Sequence, residues 1–145
     1  MITVYPFEQI LYKQAEKLSM AAKCPVDVRV NMLNPQGEWI AVYLFDHNFV
    51  TLRAKIRFID NDLANADCLE NYIIEFRHFR VEPRNCGLGT QFILLLLEEI
   101  KAYPFKGIVL EPKNERAAHF WQKVGFEFQD EQCLNNKMYM NFSTK

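Results

Sequence analysis

An apolar run from Tyr72 to about Val81 gives way to Arg84-Asn85-Cys86-Gly87-Leu88-Gly89-Thr90, and from Gly87 to Tyr103 apolar residues crowd a predicted long helix. This strand, loop and helix constrain the chain more than any other stretch. Two glycines let a backbone pass close to a ligand, and the free amides of a first helical turn point outward at the positive end of the helix dipole. Such a terminus suits an anion. Thr90 adds a hydroxyl donor and Arg84 a permanent charge matched to phosphate oxygens, so a pyrophosphate is the natural guest. Taken alone, Gly87-x-Gly89 is equally well a tight strand-to-helix turn.

Around this passage the pattern predicts a mixed α/β architecture. Phe7, Ile10, Leu11, Ala15, Leu18 and Ala22 recur at helical spacing behind Pro6, with Ile2 to Tyr5 as a short strand before them. Cys24-Pro25 ends that helix, and Val26 to Met32, Trp39 to Phe45 and Phe49 to Ile59 read as an antiparallel meander turned at Asn34-Pro35-Gln36-Gly37 and Asp46-His47-Asn48. Asp60 to Asn71 reads as a polar loop. After the long helix come a short buried strand (Ile108 to Leu110), a helix (Glu115 to Val124) stopped by Gly125, and closing strands Phe126 to Phe128 and Lys137 to Phe142 around the polar stretch Gln129 to Asn136. At 145 residues, 50% of them hydrophobic, this is one domain, residues 1–145, with a proper core.

The second informative stretch runs from Asn114 to Phe126, with Asn114 placed to cap the helix. Together the two segments resemble the GNAT superfamily of acyl-CoA-dependent N-acyltransferases. Arg84, Gly87 and Gly89 match its Arg/Gln-x-x-Gly-x-Gly/Ala pattern; Asn114, Ala117, Trp121, Gly125 and Phe126 match its Asn-x-x-Ala, aromatic, Gly-Phe pattern. The resemblance covers about residues 72 to 142. It implies a mostly antiparallel central sheet flanked by helices, with a strand splayed from its neighbour at Phe79, Arg80 and Val81 so that its backbone pairs with the pantetheine of acetyl-CoA. The amides of Asn85, Cys86, Gly87, Leu88, Gly89 and Thr90, beside Arg84, would hold the pyrophosphate; Asn114 and Trp121 would line the pantetheine arm. The family's Val-x-Pro-x-x-Arg stands here in the shorter form Val81-Glu82-Pro83-Arg84.

The chemistry implied is attack of a neutral amine on the thioester, with no metal. Glu75 is the candidate base, although a strand carboxylate beside Arg77 or Arg53 also reads as a salt bridge; His78 and Glu82 are further candidates. Many family members carry Tyr where Trp121 stands, and an indole N–H is too weak an acid to replace a phenol. Tyr139, or a water, is then the candidate proton donor to the leaving thiolate. Cys86 within the loop would have its thiol acidified by amides and Arg84. A non-catalytic acyl-CoA-binding module is the alternative reading. A glycine-loop nucleotide binder is a weaker third, since no Gly-Lys-Ser/Thr follows.

Seventeen Lys and Arg against eighteen Asp and Glu give a net charge of -1, which lacks the basic excess of a nucleic-acid binder. The expected partners are therefore a small-molecule or peptide amine, with no nucleic acid and no membrane, and a homodimer is compatible with the aromatic content. Arg53, Lys55 and Arg57 share one strand face, either solvated or facing an acidic substrate. Four cysteines without metal-ligand spacing and the lack of a secretory start lead to the expectation of a reduced cytoplasm.

Overall fold

In the computed structural model, residues 5–35, 37–58, 72–82, 87–128 and 136–142 are described. Residues 2–4 of the proposed strand at Ile2 to Tyr5, the loop Asp60 to Asn71 and most of the stretch Gln129 to Asn136 lie outside them, while Tyr5 belongs to the first helix and not to a strand. The elements run α1 (Tyr5–Ala22), β1 (Asp27–Asn34), β2 (Glu38–Phe45), β3 (Asn48–Phe58), β4 (Tyr72–Glu82), α2 (Leu88–Lys101), β5 (Gly107–Leu110), α3 (Glu115–Lys123), β6 (Glu127–Phe128) and β7 (Met138–Asn141). The strands form a seven-stranded sheet in the order β1-β2-β3-β4-β5-β7-β6. Every pairing is antiparallel except β4 with β5, which the α2 crossover makes parallel.

Alternation decides which residues face the core. Trp39, Ala41, Tyr43 and Phe45 on β2 and Val50, Leu52, Ala54 and Ile56 on β3 are buried on one face, with Ile74 and Phe76 on β4. The buried stripe of α1 (Phe7, Ile10, Leu11, Ala15, Leu18) and that of α2 (Phe92, Ile93, Leu96, Leu97, Ile100) belong to the same core. Gln14 is fully buried; its Nε2 donates to the Phe92 carbonyl at 3.3 Å, and Lys17 pairs with Glu98 and Glu99, so polar ties join α1 to α2. Asp46 and His47 both take positive φ, the turn type that matches strand twist in the β2–β3 hairpin.

Tyr43, like Trp39, carries a buried polar atom in this core without a hydrogen-bond partner among the described residues. Its ring meets Phe92 edge-on at 4.7 Å, yet its hydroxyl is buried without a partner, and burial pushes the phenol far above its ordinary range. An unsatisfied hydroxyl costs more than it contributes, so Tyr43→Phe is expected to be neutral or to stabilise by up to about 1 kcal/mol. Chemical denaturation measures this; a loss of stability would reveal a bound partner for the hydroxyl.

Candidate functional site

β4 pairs with β5 only from Ile73 opposite Gly107 to Phe76 opposite Leu110. Two features end the ladder there. β5 runs into Glu111-Pro112, and proline has no N–H to continue it. On the other side, Arg53 of β3 opposes His78 while Ala54 opposes Phe76, leaving Arg77 as the extra residue of a bulge in β4. From Arg77 to Glu82, no described strand pairs with the β5-facing edge of β4.

The bulge also exchanges the faces. Before it, Ile74 and Phe76 point to the helices; after it, Phe79 opposes Leu52 and Val81 opposes Val50, so the odd positions do. The Phe79 ring lies 5.6 Å from Phe92 of α2, 6.0 Å from Phe120 and 5.7 Å from Trp121 of α3. Thus both helices meet at the splayed segment.

α2 begins beside this segment. Gly87 caps it in the left-handed conformation, φ 78°, which glycine adopts without penalty, and among the described residues no side chain caps the turn. Its first amides therefore lack an intrahelical acceptor and remain available to an anion. A methyl group placed on Gly89 would stand 3.5 Å from both Phe120 and Val81, so the N-terminus of α2, the end of β4 and the ring of α3 converge. Arg84, Asn85 and Cys86 fall outside the described residues.

Asn114 caps α3 as its sequence position requires: Oδ1 accepts from the Ala117 amide at 2.8 Å. Trp121, 6% exposed, is enclosed by Phe76 at 5.9 Å, Phe120 at 5.0 Å and Phe126 at 5.3 Å. It braces Phe79 from the helix side. Phe120, which helical spacing alone reads as packing, stacks on Phe79 at the rim of this cluster.

Glu75 and Tyr139 share the other face, one on each side of Val109, which opposes both. Two strand spacings put their backbones roughly 10 Å apart. The Glu75 carboxylate is held by Arg57 at 3.6 Å and Arg77 at 3.4 Å, the ion-pair arrangement that strand neighbours suggested, although Arg57 takes the place of Arg53. Arg53 instead donates to Glu38 at 2.6 Å, with Asn34 and Arg77 on the same carboxylate, and the Arg53 hydrogen bond, the Asn34 amide and the two guanidinium charges hold Glu38 below the usual carboxylate range. The bulge brings His78 onto this face at the mouth of the gap. Partial burial and the surrounding Lys113, Arg53 and Arg80 lower its affinity for a proton. The sequence signal for the bulge is the spacing Ile74, Phe76, Phe79, Val81, where alternation slips by one residue.

Among the described residues there is no group of His, Cys, Asp and Glu suited to a metal ion, and no helix is long and apolar enough to cross a membrane.

No protein-family model matches the sequence, and no curated protein does. Solved structures do match. AtaTR bound with acetyl-CoA superposes with a TM-score of 0.54 at 8% identity, over 81% of this chain and 93% of that one. AtaT complexed with acetyl-methionyl-tRNAfMet gives 0.50 at 8% over 80% and 94%, and the AtaT-AtaR complex bound to DNA gives 0.50 at 13% over 71% and 68%. The chain described above shares the fold of these neighbours, the GNAT fold that its sequence resembles. One expectation is corrected by them. Proteins of this fold are seen with tRNA and with DNA, so a net charge near zero is no ground for excluding nucleic acid or for confining the acceptor to a small molecule or peptide. Net charge sums over a whole surface, whereas binding depends on one face.

Proposed function

We propose that this chain is an acetyl-CoA-dependent N-acetyltransferase whose acceptor amine is carried on a nucleic acid. The observation that carries the reading is the one-sided splay of β4 beside the uncapped, glycine-led N-terminus of α2. Residues 77–82 offer to the pantetheine amides a backbone edge that pairs with no described strand, as an added strand would use. The first-turn amides of Leu88, Gly89 and Thr90 offer donors to the pyrophosphate. Phe79, Phe120 and Trp121 wall the helix side of the gap, and Tyr139 stands on the opposite face as the proposed proton donor to the thiolate. When bound, acetyl-CoA supplies an activated acyl carbon and a tolerable leaving group.

The charge of the open face supports this acceptor class. On the open face, the described cations Arg53, Lys55, Arg57, Arg77, Arg80 and Lys113 stand about the gap with the carboxylates Glu38, Glu75 and Glu82, and Glu127 opposes Tyr139, which leaves an excess of cations in a chain whose net charge is -1. A small cationic amine is repelled by such a face, while an amine tethered to phosphates is drawn to it. Nucleobase amines are weak nucleophiles; the aliphatic amine of an aminoacyl ester on RNA is a strong one. The complex of AtaT with acetyl-methionyl-tRNAfMet supports the same class.

Calorimetric titration of acetyl-CoA against dephospho-CoA and ATP tests the donor site, and thioester consumption with charged tRNA against free amino acids tests the acceptor. Tight acetyl-CoA binding without turnover on any amine would favour a non-catalytic binding module. Arg57→Ala is expected to weaken charged-tRNA binding several-fold and to lower the slope of log affinity against log salt by about 1, with acetyl-CoA affinity unchanged. An unaltered slope would remove Arg57 from the acceptor surface.

A further inference from the structure

Resting on the acetyltransferase reading, we propose that His78, rather than Glu75, takes the proton from the acceptor ammonium. Three observations place it there. It is the first residue beyond the β4 bulge, and so belongs to the segment of β4 that no longer pairs with β5. Opposite Arg53, it faces the open side, from which an acceptor would approach a thioester lodged in the gap. It is half-buried, while Glu75 lies within the paired segment with its carboxylate engaged by Arg57 and Arg77.

The electrostatic setting suits a base that must be empty before the reaction. Arg53 on β3, Arg80 on β4 and Lys113 in the turn after β5 all act on the imidazole, and with burial they keep it deprotonated through neutral pH. The ion pairs that two of these cations make weaken the field without reversing its sign. Glu38 is bound by Arg53, Glu82 by Arg80 at 2.6 Å, and Glu75 by Arg57 and Arg77. The same field favours loss of a proton from an arriving ammonium. The step balances: a proton passes from the ammonium to an imidazole nitrogen, the freed nitrogen lone pair forms the bond to the acyl carbon, the carbon–sulfur bond breaks, and the nitrogen releases its second proton to solvent as it becomes an amide. The thiolate then takes a proton from Tyr139 or from solvent.

The test is the pH dependence of turnover by the full chain with charged tRNA, beside an imidazole NMR titration of its three histidines, assigned with His78→Gln. Expected are an acid limb in kcat with an apparent pKa below the ordinary histidine value and a matching titration of His78. His78→Gln is expected to lower kcat at least about 100-fold while acetyl-CoA affinity holds. Lys113→Glu, which replaces a cation acting on His78 by an anion, should move both the limb and the titration to higher pH. Retained turnover in His78→Gln, or a limb that ignores Lys113→Glu while the titration moves, would overturn the proposal and leave the acetyltransferase reading standing. If His78→Gln fails to bind acetyl-CoA, the Lys113→Glu shift decides. A wild-type chain that binds acetyl-CoA but never consumes it overturns the acetyltransferase reading itself.

Discussion

Gly89→Glu is expected to bind acetyl-CoA at least about 100-fold more weakly than the wild type, a loss near 2.7 kcal/mol, while its thermal stability holds or rises. The two halves of this result have one cause. A glutamate in the first turn of α2 places an anion against the uncapped amides, where the helix dipole welcomes it. The variant thus supplies from within the charge that the pyrophosphate would bring, and the amides are lost to the ligand. The fold tolerates the new side chain at its root, because a Cβ on Gly89 meets Phe120 and Val81 at ordinary contact distance. Gly89→Ala is therefore the control: it adds the methyl without the charge and is expected to retain binding within a few-fold. Calorimetry on the three proteins separates the outcomes. Equal losses in both variants would mean that bulk beside Phe120 matters and the amides do not. Full affinity in Gly89→Glu would remove the α2 N-terminus from the site.

Sequence pattern made most of this fold legible because its signals are local. The helical stripe from Phe7 to Leu18, the alternation of β2 and the capping Asn114 each depend on neighbours within a turn or a strand, and each stands where its pattern placed it. The splay of β4 was implied by resemblance, but its cause depends on two distant strands. A bulge at Arg77 and a proline after β5 end the same ladder from opposite sides, and only the register between β3, β4 and β5 brings them together. The slip in alternation between Phe76 and Phe79 is visible in the sequence. Its meaning is not, since an odd spacing equally marks the end of a strand. Charge misled for a related reason. Composition sums Lys17 with Arg57, although Lys17 lies between α1 and α2 with Glu98 and Glu99 while Arg57, paired with Glu75, stands on the open face.

Trp121→Ala is expected to cost about 3 to 5 kcal/mol, a large share of the roughly 5 to 15 kcal/mol that holds a domain folded. The size follows from what the indole touches. It is 6% exposed and packs on Phe76, Phe79, Phe120 and Phe126, which belong to β4, α3 and the segment after α3. Removing it leaves a cavity bordered by four rings, and these cannot all collapse into it. Trp121→Phe keeps an aromatic wall and is expected to cost less than half as much. Trp121→Tyr carries the functional question, because it restores the phenol that the superfamily resemblance expects at this position. Here Trp121 faces the helices, whereas Glu75, His78 and Tyr139 share the opposite side of the sheet. A hydroxyl among those rings would be buried beside apolar neighbours, so Trp121→Tyr is expected to lose stability without gaining kcat. Denaturation curves and steady-state rates of the three variants decide it. A Trp121→Tyr variant with raised kcat would place the thiolate on the helix side of the gap and transfer the donor role from Tyr139 to position 121.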